Sequence, residues 1–133
     1  MALYVTDTHP LIWYVTGAHS KLSRVALRTF ERADRGEALI YVPAMALWEA
    51  GILGRIGRVR FNPSFEAWTR ALVARPGFAF APLDVDTVTS AIQTAISADP
   101  FDIGIVAAAR VRELPLITKD EKITQSRIVQ VAW

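Results

Sequence analysis

The 133-residue chain contains no cysteine, so it can form no disulfide bond and has no thiolate nucleophile. Cysteine-based zinc and iron–sulfur sites are excluded for the same reason. A metal ion would need oxygen or histidine ligands, and the two histidines, His9 and His19, lack a metal-ligand spacing. Glycine and proline are also sparse, at 7 residues each, and 52% of the residues are hydrophobic. This composition excludes a disordered or low-complexity chain.

Long hydrophobic runs are absent as well. The longest nearly apolar stretch, 38–48, has 11 residues, whereas a bilayer-spanning helix needs roughly 20. The first residues, MALYVTD, show neither the basic region nor the cleavage site of a secretory signal. The GxGxxG, GxxxxGK[ST] and GxSxG motifs are missing, which removes dinucleotide-binding, P-loop and nucleophile-elbow interpretations. We therefore expect a cytoplasmic protein without a membrane segment.

The net charge is small, +2, because 15 lysines and arginines nearly balance 13 acidic residues. The basic residues are, however, unevenly distributed. Five basic residues recur every three or four positions and would share one face of a helix: Lys21, Arg24, Arg28, Arg32 and Arg35. Two interpretations remain open for this face. It is either a solvated helix surface or a surface that follows phosphate groups.

Short apolar runs alternate with helical patterns along the chain. Strands are predicted at residues 2–6, 38–42, 78–83 and 114–118, with a possible fifth edge strand at 127–133. Predicted helices run from Pro10 to Gly17, from 21 to 35 after a Ser20 cap, and over 44–53, 64–74, 84–96 and 99–109. This order predicts a single domain over residues 1–133. Its expected fold is a three-layer α/β/α sandwich with a mainly parallel sheet of four to five strands.

Five acidic residues occupy the positions where such a sheet forms its binding sites. Asp7 and Asp120 follow the first and fourth strands, Glu49 lies inside an apolar helix, and Asp99 and Asp102 begin another helix. If the first and fourth strands are neighbours, these carboxylates converge. They would then repel one another unless a divalent cation such as Mg²⁺ or Mn²⁺ neutralised them. Helix capping or a turn is an alternative explanation for each aspartate, whereas mid-helix Glu49 has no such alternative.

Five segments, in this order, resemble the PIN-domain nucleases, and within them the VapC-like toxins of bacterial toxin–antitoxin pairs. The segments are VTDTHPLIWYV, VPAMALWEAGILGRIGRV, DPFDIGIVAAAR, LPLITKDEKI and IVQVAW, which together extend over nearly the whole chain. The resemblance implies a PIN-like fold and a Mg²⁺- or Mn²⁺-dependent endoribonuclease that cleaves RNA phosphodiester bonds with metal-activated water. It also implies inhibition by a cognate antitoxin and a homodimeric state. The four tryptophans are interpreted as core or edge residues, and a partner interface is the alternative for Trp13 and Trp68.

The resemblance also assigns roles to individual residues. The residues that match the family's catalytic acids are Asp7, Glu49, Asp102 and Asp120. Among these, Asp7 and Asp102 are the expected metal ligands. Asp99 is an additional acid, and Thr118 matches a hydroxyl often found beside the fourth acid, so both are secondary candidates. Similar sequences often carry Arg where this chain has Ile103, which implies one cation fewer near the site.

An RNA substrate gives the basic helix face a possible purpose. Arg24, Arg28 and Arg32 are the residues predicted to guide the RNA backbone, since phosphate contacts position a substrate without reading its sequence.

Other functions remain open. A phosphoacceptor signalling domain also gathers strand-end aspartates around Mg²⁺, but it would carry a tandem acid pair after the first strand. A haloacid-dehalogenase-like phosphatase would need Asp-x-Asp at the same place. This chain has Thr8 and His9 after Asp7, which disfavours both. A catalytically inactive interaction module is the remaining alternative.

Overall fold

A four-stranded parallel sheet forms the centre of the computed structural model, which describes residues 1–133. The strands are β1 (Ala2–Thr6), β2 (Ala38–Pro43), β3 (Phe78–Ala81) and β4 (Leu116–Ile117). The helices are α1 (Thr8–Val15), α2 (Arg24–Asp34), α3 (Ala44–Arg55), α4 (Phe65–Ala74), α5 (Val85–Gln93), α6 (Pro100–Arg112) and α7 (Glu121–Ser126). The strand order is β3-β2-β1-β4, and every pairing is parallel. This confirms the predicted α/β fold and the expected neighbouring positions of the first and fourth strands.

Helices cover both faces of the sheet because the strands are apolar on both sides. On one face, α1, α2 and α4 pack over a core that includes Leu11, Phe30 and Ile40. On the other face, α3, α6 and α7 pack over a core that includes Met45 and Ile105. The short helix α5 lies against α6. None of the seven helices is long and apolar enough to cross a lipid bilayer.

The predicted start of the basic helix is wrong. The basic helix does not begin after Ser20, because residues His19–Lys21 form a separate 3₁₀ turn. Helix α2 begins at Arg24, where the Ser23 side chain accepts a hydrogen bond from the amide of Ala26. Both serines suit a helix cap. Ser20 lies inside the 3₁₀ turn, so Ser23 is the residue that caps the helix.

The end of the chain also differs from the prediction. Residues 127–133 form no fifth strand, and only a single bridge joins Val131 to Leu116. Helix α7, which was not predicted, ends at Arg127 in a left-handed conformation with φ of 58°. Beyond this residue the chain changes direction, and it pairs with β4 only around Val131. The sheet has four strands.

Candidate active site

The carboxylate of Asp7 lies at the carboxyl end of β1, where β1 and β4 run side by side. One of its oxygens accepts a hydrogen bond of 2.7 Å from the amide of Thr8, which caps α1. Its other oxygen accepts a hydrogen bond of 2.7 Å from the hydroxyl of Thr118. The same hydroxyl accepts a hydrogen bond from the amide of Asp120 at 3.1 Å. Thr118 thus connects the two strand-end aspartates, as its predicted position beside the fourth acid suggested.

Helix α6 brings two acids to the same edge of the sheet. Asp99 caps the helix by accepting a hydrogen bond of 2.9 Å from the amide of Phe101. Pro100 occupies the first helical position, so Asp102 falls in the first turn. The Asp102 carboxylate accepts no hydrogen bond from the backbone, unlike Asp7, Asp99 and Asp120. Capping therefore accounts for Asp99 and leaves Asp102 without a structural role.

Glu49 reaches the site from the middle of α3, where it is half-buried between apolar neighbours. Close by is the hydroxyl of Thr8, which is fully buried and makes no hydrogen bond of normal geometry. It lies near enough to Glu49 to oppose the rise in the pKa of that carboxyl. An unsatisfied buried hydroxyl beside a carboxylate marks a polar site that is not complete with protein atoms alone.

These acids line one cleft with a volume of about 530 Å³. Its lining residues are Asp7, His9, Pro10, Trp13, Glu49, Asp99, Asp102, Lys119, Asp120 and Glu121. Six of these ten residues are acidic, and Lys119 is the only lysine or arginine among them. An RNA phosphate would be repelled from such a surface unless a cation were bound there.

Burial and the neighbouring negative charges raise the pKa values of carboxyl groups in the cleft. Burial and the charges of the surrounding acids raise the pKa of Asp102 to about 6 from its ordinary value of 3.8. Burial also raises the pKa of Asp7, although its hydrogen bond from Thr118 acts in the opposite direction. For Glu49, burial and then the charge of Asp7 raise the pKa. The pKa values of three of the four predicted catalytic acids are therefore raised, as expected for buried carboxylates that lie close together.

The donor chemistry of the cleft suits a hard divalent cation, since every acid offers oxygen ligands and one buried hydroxyl is unsatisfied. No three of these side chains are close enough together to form a ready-made ligand set. Binding of an ion would require the carboxylates to move toward one another. Asp102 and Glu49 are half-buried and accept no backbone hydrogen bonds, so they are freer to do so than the capping aspartates.

The structure does not bring the predicted RNA-guiding residues to the cleft. Arg24, Arg28 and Arg32 lie on α2, and none of them lines the acidic site. The predicted site also omitted His9, Lys119 and Glu121, which line the cleft within two residues of its acids, and Thr8, whose buried hydroxyl lies near Glu49. Adjacency to Asp7 and Asp120 was the available signal.

The surroundings of Trp13 and Trp68 agree with the interpretation of the tryptophans as core or edge residues. Trp13 and Trp68 are half-buried and have aromatic partners within the chain, with ring centroids 6.5 Å from Trp133 and 4.5 Å from Phe61, respectively. The most exposed tryptophan is Trp48, at 62%.

Comparisons with known proteins point to one family. A family model described as PIN domain matches residues 4–128. No curated protein sequence matches significantly. Among solved structures, VapBC2 from Rickettsia felis bound to a promoter DNA fragment superposes with a TM-score of 0.68 and 10% identity, covering 97% of this chain and 96% of that one. A toxin–antitoxin complex from Klebsiella pneumoniae gives a TM-score of 0.64 and 18% identity, with 100% and 98% covered. FitAcB from Neisseria gonorrhoeae gives 0.63 and 14%, with 96% and 95% covered. At these identities the superpositions show that the fold is shared.

Proposed function

The chain belongs to the PIN domain family, and on this basis we propose that it is a metal-dependent endoribonuclease that acts as the toxin of a toxin–antitoxin pair. The observation that carries the proposal is the cleft that gathers Asp7, Glu49, Asp102 and Asp120 at the carboxyl edge of the sheet. The same four residues were predicted from sequence as the catalytic acids. Asp99 has a capping role of its own and is secondary.

The chain's own residues divide the work of such a site. Asp7 is held in one orientation by Thr8 and Thr118, so it is a preorganised ligand. Asp102 is the second proposed ligand, and Asp120 completes the set directly or through water. The raised pKa of Glu49 suits it to accept the proton of an attacking water. Lys119, the only lysine or arginine that lines the cleft, would contact a phosphate oxygen.

Mg²⁺ or Mn²⁺ is the cofactor that we propose, held by Asp7 and Asp102. When bound, it would supply charge stabilisation at the phosphodiester and lower the pKa of water. Among the alternatives, the phosphoacceptor and phosphatase interpretations gain no support, because the residues after Asp7 contribute no second acid to the cleft.

We propose that the antitoxin covers an apolar groove on α3 and the loop that follows it. This groove has a volume of about 680 Å³, and Trp48, Ile52, Phe61 and Phe65 contribute its large apolar side chains. Trp48 also packs edge-on against Phe101 at the start of α6, with ring centroids 6.0 Å apart. A segment bound there would lie beside Asp102. One of the similar structures, from Klebsiella pneumoniae, is named as a toxin–antitoxin complex, which supports an antitoxin as the partner.

The decisive experiment compares the wild-type protein, freed of antitoxin, with Asp7→Asn. We expect the wild type to cleave single-stranded or looped RNA only with Mg²⁺ or Mn²⁺ present, and Asp7→Asn to be inactive. Asparagine remains a good helix cap, and the Thr118 hydroxyl can reverse its hydrogen bond, so the variant should fold. Melting temperature is measured on the same preparation. Cleavage by a folded, nuclease-free variant would refute the mechanism.

A further inference from the structure

A second groove, lined by basic and aromatic residues, opens directly from the acidic cleft. It has a volume of about 470 Å³ and is lined by His9, Ile12, Trp13, Thr16, Ala18, Lys21, Leu53, Arg58, Val59 and Arg60. His9 and Trp13 line both the groove and the cleft. A ligand that entered the cleft could therefore continue into the groove along the side of α1.

The three cations of this groove are exposed and have no acidic partner. Lys21, Arg58 and Arg60 take part in none of the salt bridges of the structure, which involve Arg35, Arg70 and Arg75. Unpaired cations along a groove attract an anion more strongly than paired ones, because no carboxylate must first be displaced. The groove is thus of opposite charge to the cleft that it adjoins.

Backbone geometry fixes where these cations lie. Helix α3 ends at Arg55, Ile56 is its C-cap, and Gly57 follows with a left-handed φ of 78°. The amide of Arg58 donates to the carbonyl of Leu53 at 2.9 Å, and the amide of Gly57 donates to that of Gly54 at 3.2 Å. This is the hydrogen-bond pattern of a Schellman motif, which ends the helix and redirects the chain. The redirected segment brings Arg58 and Arg60 to the same groove as Trp13 on α1.

Trp13 is the aromatic centre of the groove. The ammonium groups of Lys21 and Lys119 lie 5.9 Å and 5.8 Å from the centroid of its ring. His9 lies 5.9 Å away, ring centroid to ring centroid. An aromatic ring with cations close to it is the combination that binds single-stranded nucleic acid, since a base stacks on the ring while its phosphates contact the cations.

We propose that this groove holds the single-stranded RNA next to the scissile phosphate, with a base on Trp13 and backbone phosphates on Lys21, Arg58 and Arg60. The inference rests on the proposed nuclease function and names a substrate path for it. It replaces Arg24, Arg28 and Arg32 as the RNA-guiding residues. Bases of a duplex are not free to stack on a side chain, so the groove selects unpaired RNA.

The test measures RNA binding without cleavage. A fluorescently labelled single strand of about 10 nucleotides is titrated in EDTA against the full chain, at several salt concentrations. The groove variant is Lys21→Gln with Arg58→Gln, because neither residue lines the apolar groove assigned to the antitoxin. The matched control is Arg24→Gln with Arg28→Gln, which removes the same charge from α2. Melting temperatures verify that both fold.

We expect the groove variant to bind RNA at least about fivefold more weakly, and its salt dependence to fall by about 0.7 in log–log slope for each lost phosphate contact. The control should bind as the wild type does. Trp13→Leu should weaken binding about tenfold, with partial recovery in Trp13→Phe. A duplex of the same sequence should compete poorly.

Equal losses in the groove variant and the control would overturn the proposal, as would tight binding of the duplex. So would a groove variant that keeps full RNA affinity but no longer binds the antitoxin. Because binding is measured in EDTA, failure of the groove and failure of the nuclease are separable. Groove-dependent binding by a protein that never cleaves RNA would support the groove and contradict the nuclease.

Discussion

Asp102 is the acid of the cleft whose raised pKa can be tested most directly. Its carboxylate lies among Asp99, Asp7, Asp120 and Glu49, all of which raise its pKa in addition to the effect of burial. It accepts no backbone hydrogen bond that would stabilise the charged form. The helix that carries it contributes one favourable influence, the positive end of its dipole. Burial and charge repulsion together outweigh that influence, since the net shift in pKa is upward.

We predict that Asp102→Asn stabilises the metal-free protein at pH 7 and that the gain shrinks toward pH 4. Between 3.8 and about 6 the folded protein binds more protons at Asp102 than the unfolded chain, so the free energy of unfolding falls as pH rises. Asparagine removes this loss. The full shift corresponds to about 3 kcal/mol, and solvent screening of this half-exposed group reduces it to about 1 kcal/mol.

Urea unfolding in EDTA from pH 4 to pH 7 measures this difference. The control is Asp86→Asn, which removes an exposed acid from the first turn of α5, away from the cleft. It loses a comparable helix-dipole interaction without relieving the cluster. A pH-independent difference between Asp102→Asn and wild type would contradict the prediction.

The same residues show what sequence can predict of a site. Asp7 was open to two explanations, a helix cap or a site residue, and Asp120 to a turn or a site residue. In the structure each of them caps a helix and also lines the cleft. One carboxylate oxygen is enough to cap a helix, so the alternatives were never exclusive. Thr8 was overlooked because nothing in sequence distinguishes a buried hydroxyl without a partner from an ordinary one.

At the scale of helices and strands, the crossing of α3 and α6 determines how Glu49 and Asp102 face one another. Gly104 of α6 lies at this crossing, and a Cβ added there would be 2.6 Å from Cγ of Met45 on α3. Such a distance is well inside van der Waals contact, so the two helices approach closely only because position 104 has no side chain.

We predict that Gly104→Ala destabilises the protein by about 1–3 kcal/mol through overpacking, less a gain of up to about 1 kcal/mol in helix propensity. It should also reduce cleavage, because the displaced helices separate Glu49 from Asp102. Shortening Met45 to alanine costs stability alone but makes room for the new methyl group. The double variant should therefore be less destabilised than the two single variants predict together. Additive losses in this double-mutant cycle would rule out the contact as the cause.

Helices and strands were predicted correctly where the hydrophobic periodicity or a capping residue was clear. The prediction failed for segments of only a few residues. Helix α7 has only six residues, too few to show an amphipathic repeat. The segment IVQVAW is apolar at five of its six positions, as a strand at a sheet edge can be, yet it pairs with β4 through one bridge. An apolar run indicates that a segment is partly buried. It does not indicate whether a neighbouring strand is long enough to pair with, and β4 spans only two residues.

At the scale of the whole molecule, the same limit explains the basic residues. The spacing of Arg24, Arg28 and Arg32 correctly predicted a shared helix, but a repeat along one helix contains no information about what that helix faces. The cations of the groove beside the cleft come instead from a 3₁₀ turn and from the loop after α3. Their approach is tertiary, and no pattern local in sequence encodes it.

The homodimer stays a prediction, and the structure suggests a surface for it. Val85, Val88 and Ile92 are spaced as one stripe along α5, and their exposures are 80%, 44% and 72%. A second copy of the stripe would cover it in a two-fold contact. We expect the wild type to sediment as a dimer at micromolar concentration and Val85→Lys with Ile92→Lys as a monomer. Val25→Lys, at an exposed position of α2, is the control. Dimers of unchanged strength in the α5 variant would exclude this surface.

Divalent cations should stabilise the whole fold through the acidic cleft. An ion that binds only the folded state adds RT ln(1 + [L]/Kd), which is about 2.7 kcal/mol at a hundredfold excess over Kd. We therefore predict that Mn²⁺ or Mg²⁺ raises the melting temperature of the wild type, because it replaces repulsion among the carboxylates with attraction. Asp7→Asn and Asp102→Asn should respond far less, since each removes a proposed ligand. Sodium chloride at matched ionic strength controls for screening, which weakens repulsion in all three proteins. Calorimetric titration gives the corresponding affinities, and equal Mn²⁺ affinity in wild type and Asp7→Asn would show that the ion binds elsewhere.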